Sequence, residues 1–415
     1  MVSLRKSSRG IFDSRYEPIT LNVVSKQSMY DWIVIGAGIT GACLAYELSQ
    51  QGLKVLLIEK DPIPDNATVY SYGGLAYWSG TDRLTRTLGE EGIELHRHLS
   101  QELDADTEFR DVDLILTIDR QDEPKAIAQN YDRFATTPEL LSVNDACILE
   151  PLLNPNAISG ALKLPHGHIN PQKTTEAYIQ AFKRNNGLII YEQVVDLLRQ
   201  GEDVVGVKTH DNTHRADNTV ICGGGLSRSL LQQANIEVEN YYTHAQLIIT
   251  PPVDFELGTV VMPAVQQRFM LEAKGKELET NDWNPPYDLA IKAILDPGAV
   301  QFIDGRICMG QISAIAPNPK AKLNPFAAEA QIREQVSNVL PLLEDIPGTC
   351  HSCLVAFNNK AIALVGNLAS TKGIYLFSGF TSTLVFAPVL ARRFSQWVLG
   401  KEDKIIEELQ LAIND

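Results

Sequence analysis

The 415-residue sequence contains no run of about 18 uncharged apolar residues, so an ordinary membrane-spanning helix is excluded. The apolar stretch Leu384–Leu390 is too short and runs straight into Arg392 and Arg393. Positive charge is scarce: 36 Lys and Arg face 51 Asp and Glu, a formal net charge of -15. Such a chain repels nucleic-acid phosphate and anionic lipid, and neither is expected as its main partner. Cysteine is sparse too, with six in all. Most sit in apolar runs and read as small buried hydrophobes. Cys350 and Cys353 alone have C-x-x-C spacing. A redox or metal role for that pair is a lesser expectation than reduced thiols in a cytoplasmic protein. No other cluster suggests a metal set, and none is expected.

What is present is ordinary globular material, 44% apolar and 21% charged, at a length typical of two packed domains. Residues 1–28 stand apart. Arg5, Lys6, Arg9, Arg15 and Lys26 oppose only Asp13 and Glu17, and no apolar segment marks a secretory signal. The segment reads as a poorly ordered tail in preference to a basic targeting extension, with Met29 as a functional start.

Asp31–Ile35 is a β-branched run fit for a buried parallel strand. Gly36-Ala37-Gly38-Ile39-Thr40-Gly41 follows, then a helical pattern to Gln51, Gly52 at its end, and a second strand, Lys54–Ile58, closed by Glu59 and Lys60. The chemistry needs this order. Gly36 permits the turn out of the strand, Gly38 lets backbone approach a pyrophosphate, and Gly41 lets the helix pack close. The helix N-terminus offers N–H groups and a positive dipole to phosphates. Glu59 stands where an acid accepts hydrogen bonds from ribose hydroxyls, which disfavours a 2′-phosphate. This is a dinucleotide-binding βαβ unit. By itself it does not separate FAD from NAD, although a second G-x-G-x-x-G is missing.

Four further segments carry a resemblance. Ser71-Tyr-Gly73-Gly74-Leu75 is similar to a small-residue loop that passes a flavin. Leu162–Pro171, with His166 and His168, is similar to an entry into the next helix and is expected to be structural. Ile189–Val195 and Thr219–Ser227 are similar to strands that meet adenine and cofactor through Val195 and Gly224. Ala361–Gly366 and Gly373–Thr383 resemble a closing turn whose helix N-terminus faces the flavin. With these, residues 29–400 resemble the D-amino-acid-oxidase-like family of FAD-dependent oxidoreductases, the glycine and sarcosine oxidases among them. The resemblance implies FAD as cofactor, Gly379-Phe380-Thr381-Ser382-Thr383 at the flavin, and a small-molecule substrate that reduces the flavin directly. Here that turn is short and poor in glycine, and its hydroxyls are alternative helix caps.

The sequence also departs from the family. Many amino-acid oxidases clamp the substrate carboxylate with an arginine, bidentate; the corresponding stretch, Leu354–Lys360, has none. Asn358, Asn359 and Lys360 are partial substitutes at best. Arg268, in a strand-like run, and Arg306, in a turn, are the first candidates for substrate binding, ahead of Arg83, Arg86 and Lys292. No catalytic residue is assigned, because hydride transfer needs no protein nucleophile.

The expected fold is α/β: a discontinuous Rossmann-like FAD-binding domain with an α+β antiparallel-sheet substrate domain. The expected boundaries are 29–80, 161–243 and 350–400 for the first, 81–160 and 244–349 for the second, and a tail at 401–415. Asn284–Pro286 and Asp296–Gly298 read as turns. The expected reaction is oxidation of an amine or amino-acid C–N bond, with O2 or a quinone as final acceptor. A 2-hydroxy-acid or polyol-phosphate dehydrogenase is the alternative, and a non-catalytic flavin protein a further one.

Overall fold

The computed structural model describes residues 30–276, 283, 291–321, 323–368 and 371–414. The segment 1–28 and the turn at 284–286 lie outside the described residues.

Two sheets organise the chain. Among the described residues the first has eight strands, and its parallel core runs Ile374–Ser378, Thr213–Ile221, Tyr30–Ile35, Val55–Glu59, Leu188–Tyr191 in spatial order. Strand Tyr30–Ile35 is the centre, and Ile33 and Val34 are fully buried. Parallel strands are covered on both faces, which is why this run is apolar without alternation. Helix Ile39–Gln50 covers one face with helices Pro171–Arg184 and Thr383–Trp397. A hairpin, Val194–Gln200 with Asp203–Thr209, extends the sheet antiparallel from Thr213–Ile221.

The second sheet has nine strands among the described residues. It is antiparallel except where Val260–Pro263 runs parallel to Arg110–Asp119. Strand Thr349–Asn358 forms one end and pairs along its whole length with Asn240–Pro252. Helix Pro325–Val339 backs this sheet, its first N–H groups bonded to the Asn324 side chain.

The sheets divide the chain differently from the sequence-drawn boundaries at several places. Strands Ile158–His168, Asn240–Pro252 and Thr349–Asn358 belong to the second sheet, although parts of each were expected in the nucleotide unit. Conversely, helix Arg83–Glu102 packs its Leu88, Ile93 and Leu99 into the core beneath the first sheet. The expected C-terminal tail contains a helix, Lys404–Asn414, with Ile406 and Leu409 buried and Gln410 bonded to Asn367. Asp296-Pro297-Gly298 is an irregularity inside strand Ile291–Gln301 and no turn. Asp296 instead accepts the N–H groups of Gln267 and Arg268, at 2.7 and 3.0 Å, where the helix Gln267–Lys276 starts.

Candidate active site

The glycine loop forms as its spacing requires. Gly36 has φ +97°, a conformation open to glycine. A Cβ on Gly41 would lie 1.8 Å from the Gly36 carbonyl oxygen, so helix and strand approach this closely only with glycine there. Gly38 is the N-cap of helix Ile39–Gln50 and supplies no side-chain cap. The Ile39 N–H is bonded to Thr68 Oγ1 at 3.1 Å, and the helix end opens onto the cavity. Glu59 leaves the second strand toward this loop. One carboxylate oxygen accepts the Ala37 N–H at 2.7 Å, and the other accepts Lys60 N–H at 2.9 Å and Asp61 N–H at 3.2 Å. Remaining lone pairs are available to ribose hydroxyls.

A cavity of about 1130 Å³ opens beside the loop. That exceeds the ~300–1,000 Å³ usual for one drug-sized ligand and leaves room for a dinucleotide and a small substrate. Its walls can be followed residue by residue. One end carries Glu59, Lys60, Glu192, Gln193 and Val194. Glu192 is held by His214 at 3.0 Å, Thr209 at 2.7 Å and Asn212 at 2.8 Å, and these bonds lower its pKa. In the middle, Thr40 Oγ1 donates to the Cys222 carbonyl, and Gly223–Gly225 follow. Gly224 has φ +53° and open space where a Cβ would stand. Ser378 Oγ donates to its carbonyl at 3.4 Å, and the Gly379 carbonyl accepts from Asn358 Nδ2 at 2.6 Å. Helix Thr383–Trp397 starts beside this point without a side-chain cap. The expected hydroxyl capping by Ser382 is therefore not made.

The far end is apolar. A Cβ on Gly225 would touch Leu354 Cβ at 2.6 Å and Tyr242 Cβ at 3.2 Å. The Tyr242 ring lies 5.6 Å from that of Trp283, and its hydroxyl donates to the Pro317 carbonyl. Pro317, Asn318, Pro319 and Lys320 complete the wall. Cys353 also lines the cavity, and burial pushes its thiol up to about 12.

The structure brings Gly36, Gly38, Ile39, Thr40, Glu59, Lys60, Gly224, Gly379, Phe380 and Thr383 onto one cavity. Ala37 and Gly41 shape the loop from behind it. Other expectations shift. Val194 lines the cavity in place of Val195. Thr381 and Ser382 are absent from its wall; Thr381 N–H is bonded to the Ile362 carbonyl. Ser71, Gly73, Gly74 and Leu75 also lie off the wall. A Cβ on Gly73 would strike the Ile169 carbonyl at 2.1 Å and one on Gly74 would strike His166 Nε2 at 2.7 Å, so these glycines accommodate protein. His166 and His168 are structural: Trp78 Nε1 donates to His166 Nδ1 at 3.1 Å, and His168 Nε2 bonds the Tyr72 carbonyl at 3.0 Å.

Neither candidate substrate arginine reaches the cavity wall. Arg268 is on a helix, not a strand, and its Nε pairs with Glu272 at 2.7 Å. Arg306 pairs with Asp304 at 2.8 Å and lies over the Phe302 ring. Asn358 is committed to Gly379, Lys360 and Ala361, and Lys360 to Glu239. Arg86 bonds the Gly80 and Arg133 carbonyls, and the side chain of Lys292 lies outside the described residues. Sequence reasoning passed over Trp283, Lys320 and Arg228 altogether, whereas Tyr241 and Tyr242 are expected from the sequence to line the pocket or to pack. Arg228 is buried in the wall, donating to the Val238 carbonyl at 2.6 Å and lying 5.4 Å from the Tyr241 ring. Among the described residues no group of three or more His, Cys, Asp and Glu could hold a metal ion.

These residues fit FAD: a cradle a Cβ would fill, an acid beside the glycine loop, and a cavity of about 1130 Å³ that continues to Gly224 and Gly379. The curated relatives include 4-methylaminobutanoate oxidase (formaldehyde-forming) of Paenarthrobacter nicotinovorans, 25% identical over 89% of this chain and 43% of that protein. One subunit of the anaerobic glycerol-3-phosphate dehydrogenase of Haemophilus influenzae is 25% identical over 53% of this chain and 40% of that one. The chain thus spans less than half the length of these two relatives. Among solved structures, glycine oxidase from Geobacillus kaustophilus superposes with a TM-score of 0.74 at 17% identity, over 90% of this chain and 96% of that one, and shares the fold. Residues 31–397 match the model of the FAD dependent oxidoreductase family, so the chain belongs to that family and its cofactor is FAD.

Proposed function

We propose that this protein oxidises the C–N bond of an amine or amino acid, passing a hydride from the substrate carbon to FAD. The observation that carries the reading is the continuity of one cavity, from the Glu59 end through Gly224 and Gly379 to an apolar pocket. The wall from Gly225 to Lys320 includes Leu354, Tyr242, Trp283 and Pro317, and an acid of the same cavity, Asp65, adds to the burial that raises the Cys353 thiol. An amine gives up hydride only when its nitrogen is neutral, and apolar walls such as Leu354 and Trp283 disfavour the ammonium form.

FAD supplies the two-electron chemistry when bound. The protein's part is to hold and orient. Glu59 would take the ribose hydroxyls, the N–H groups at the start of helix Ile39–Gln50 would take the pyrophosphate, and Gly224, with open space where a Cβ would stand, would leave the flavin uncrowded. The uncapped N-terminus of helix Thr383–Trp397 places a positive dipole end where negative charge develops on reduction. Tyr242, Trp283 and Leu354 exclude water from the reacting carbon. O2 or a quinone takes the electrons onward.

The glycerol-3-phosphate dehydrogenase relative favours a second reading, a polyol-phosphate substrate. A phosphate monoester carries about -1.5 to -2 charge at neutral pH and calls for several donors. Lys320 and the buried Arg228, already engaged with Val238, are the cations of that wall. The amine reading fits this supply better. The test is the absorbance spectrum of the purified protein, followed anaerobically with amines, amino acids, 2-hydroxy acids and glycerol 3-phosphate. Bleaching by an amine class supports the proposal; bleaching by hydroxy acids or glycerol 3-phosphate alone overturns it.

A further inference from the structure

The edge strand Thr349–Asn358 presents Leu354 to the cavity beside Gly225, where a substrate meets the cofactor. A carboxylate on the carbon that bears the reacting nitrogen would have to sit in this zone. There it would face Leu354, Tyr242 and Trp283, rings and methyl groups that cannot replace its hydration, and burying an unpaired carboxylate is costly. The Tyr242 hydroxyl is used on the Pro317 carbonyl and cannot serve it. The candidate clamps are engaged elsewhere: Arg268 on Glu272, Lys360 on Glu239, Arg228 on Val238.

A cation does stand further out. Beyond Pro317 the wall turns, the Ala321 N–H closing on the Asn318 carbonyl, and Lys320 lies exposed on that turn, in no ion pair among the described residues. The Tyr242 side chain reaches from beside Leu354 and Gly225 to the Pro317 carbonyl, and Lys320 follows three residues beyond Pro317. Apolar walls therefore come first, and a point charge comes after them.

We infer that the substrate is an amine whose carboxylate stands several bonds from the reacting C–N bond, received by Lys320 across an apolar passage walled by Tyr242, Trp283 and Leu354. This rests on the amine reading above. A hydride leaves the C–H beside nitrogen for FAD, and the nitrogen lone pair becomes the second C–N bond of an iminium ion. Water adds to that carbon, the C–N bond breaks, and an aldehyde and an amine are released. O2 or a quinone takes the two electrons from the cofactor. Lys320 is a positioning residue, remote from the reacting atoms, and a lysine suits a mobile single contact better than a bidentate one.

The test uses the FAD-loaded protein, anaerobic flavin reduction and the series N-methylglycine, N-methyl-3-aminopropanoate, N-methyl-4-aminobutanoate and N-methylbutylamine. The longer amino acids are expected to have KM values at least tenfold below N-methylglycine and N-methylbutylamine. Lys320→Met is expected to raise their KM tenfold or more with kcat within about twofold, and Lys320→Arg to restore most of the loss. A second readout does not depend on turnover. The inert thioethers 4-(methylthio)butanoate and (methylthio)acetate are titrated against the flavin bands, and the first is expected to bind at least tenfold tighter, an advantage lost in Lys320→Met. Equal or better handling of N-methylglycine, or no effect of Lys320→Met on either readout, overturns the inference and leaves the amine reading standing. Reduction by glycerol 3-phosphate or 2-hydroxy acids with no amine active overturns both.

Discussion

The buried imidazole of His96 meets the backbone carbonyl of Leu384 at 2.7 Å through Nε2, and Leu384 stands four residues before Pro388 inside helix Thr383–Trp397. Proline has no N–H, so the Leu384 carbonyl loses its helical donor. His96, from helix Arg83–Glu102, supplies one. A side chain of one helix thus repairs a gap in the helix whose first residue, Thr383, lines the cavity.

Replacing His96 by leucine is expected to destabilise the protein by about 2–3 kcal/mol, the order of cost of a buried polar group left without a partner. In a Pro388→Ala background residue 388 donates its own N–H, and the same replacement is expected to cost less than half as much. Urea denaturation of the four proteins in the cycle measures the coupling. Equal costs in both backgrounds would show that His96 acts by packing alone.

Burial lowers the pKa of five of the described histidines, His96, His166, His168, His244 and His351, and the first three fall furthest. Burial lowers His96 and His166 to about 4 and, with Arg110 beside it, lowers His168 to about 3. Between about 6.5 and these values the unfolded chain binds protons that the folded chain refuses, so stability falls as pH falls. A lowering of that size is worth on the order of 3 kcal/mol for each ring. The loss is expected to begin near pH 6.5, deepen to about pH 4, and be absent above pH 7.5. Denaturation midpoints at half-unit steps of pH check this, and His96→Leu flattens the acid limb by one histidine's share. A midpoint unchanged from pH 7 to pH 5 would mean that these rings are protonated in the folded protein.

What was legible in the sequence is what short spacing encodes. Gly36, Gly38, Gly41 and Glu59 act within one βαβ unit, and each sits where the spacing put it. The far end of the cavity was not legible, because Leu354, Tyr242, Trp283 and Lys320 come from segments that only tertiary packing joins. Near misses have local causes. Val194 replaces Val195 because a one-residue step along a strand changes which face a side chain takes. Asp296-Pro297-Gly298 carries turn residues, and the same residues serve an irregular strand. Gly73 and Gly74 are small for a neighbour's sake, Ile169 and His166, which a sequence cannot distinguish from a ligand's.

The glycine loop makes a graded prediction. Gly38→Ala places a Cβ 3.2 Å from Thr68 Oγ1, a contact that a small shift relieves, and flavin content is expected to stay above half. Gly38→Val adds branches at the pyrophosphate approach and is expected to abolish FAD binding with the fold kept. Gly41→Ala puts a methyl group 1.8 Å from the Gly36 carbonyl oxygen and is expected to cost both flavin and stability. The ratio of 450 to 280 nm absorbance, read with the far-ultraviolet circular dichroism, separates these outcomes. A Gly38→Val protein that purifies with full flavin would move the pyrophosphate away from this loop.

Cys350 and Cys353 make the last case, because strand geometry decides it. Both lie on strand Thr349–Asn358, facing Ile248 and Ala245 of the neighbouring strand. Side chains alternate along a strand, so residues three apart point to opposite faces. Cys350 packs against the core of the second sheet, whereas Cys353 lines the cavity. The two sulfurs cannot join without taking the edge strand out of its pairing with Asn240–Pro252. Burial raises both thiols, which removes the thiolate needed for exchange. All six cysteines are free in the fold, and six thiols are expected to titrate after unfolding without reductant. Treatment of the folded protein with diamide is expected to leave the intact mass unchanged. A loss of two mass units assigned to the 350–353 peptide would show that this strand detaches in solution and would reopen a redox role for the pair.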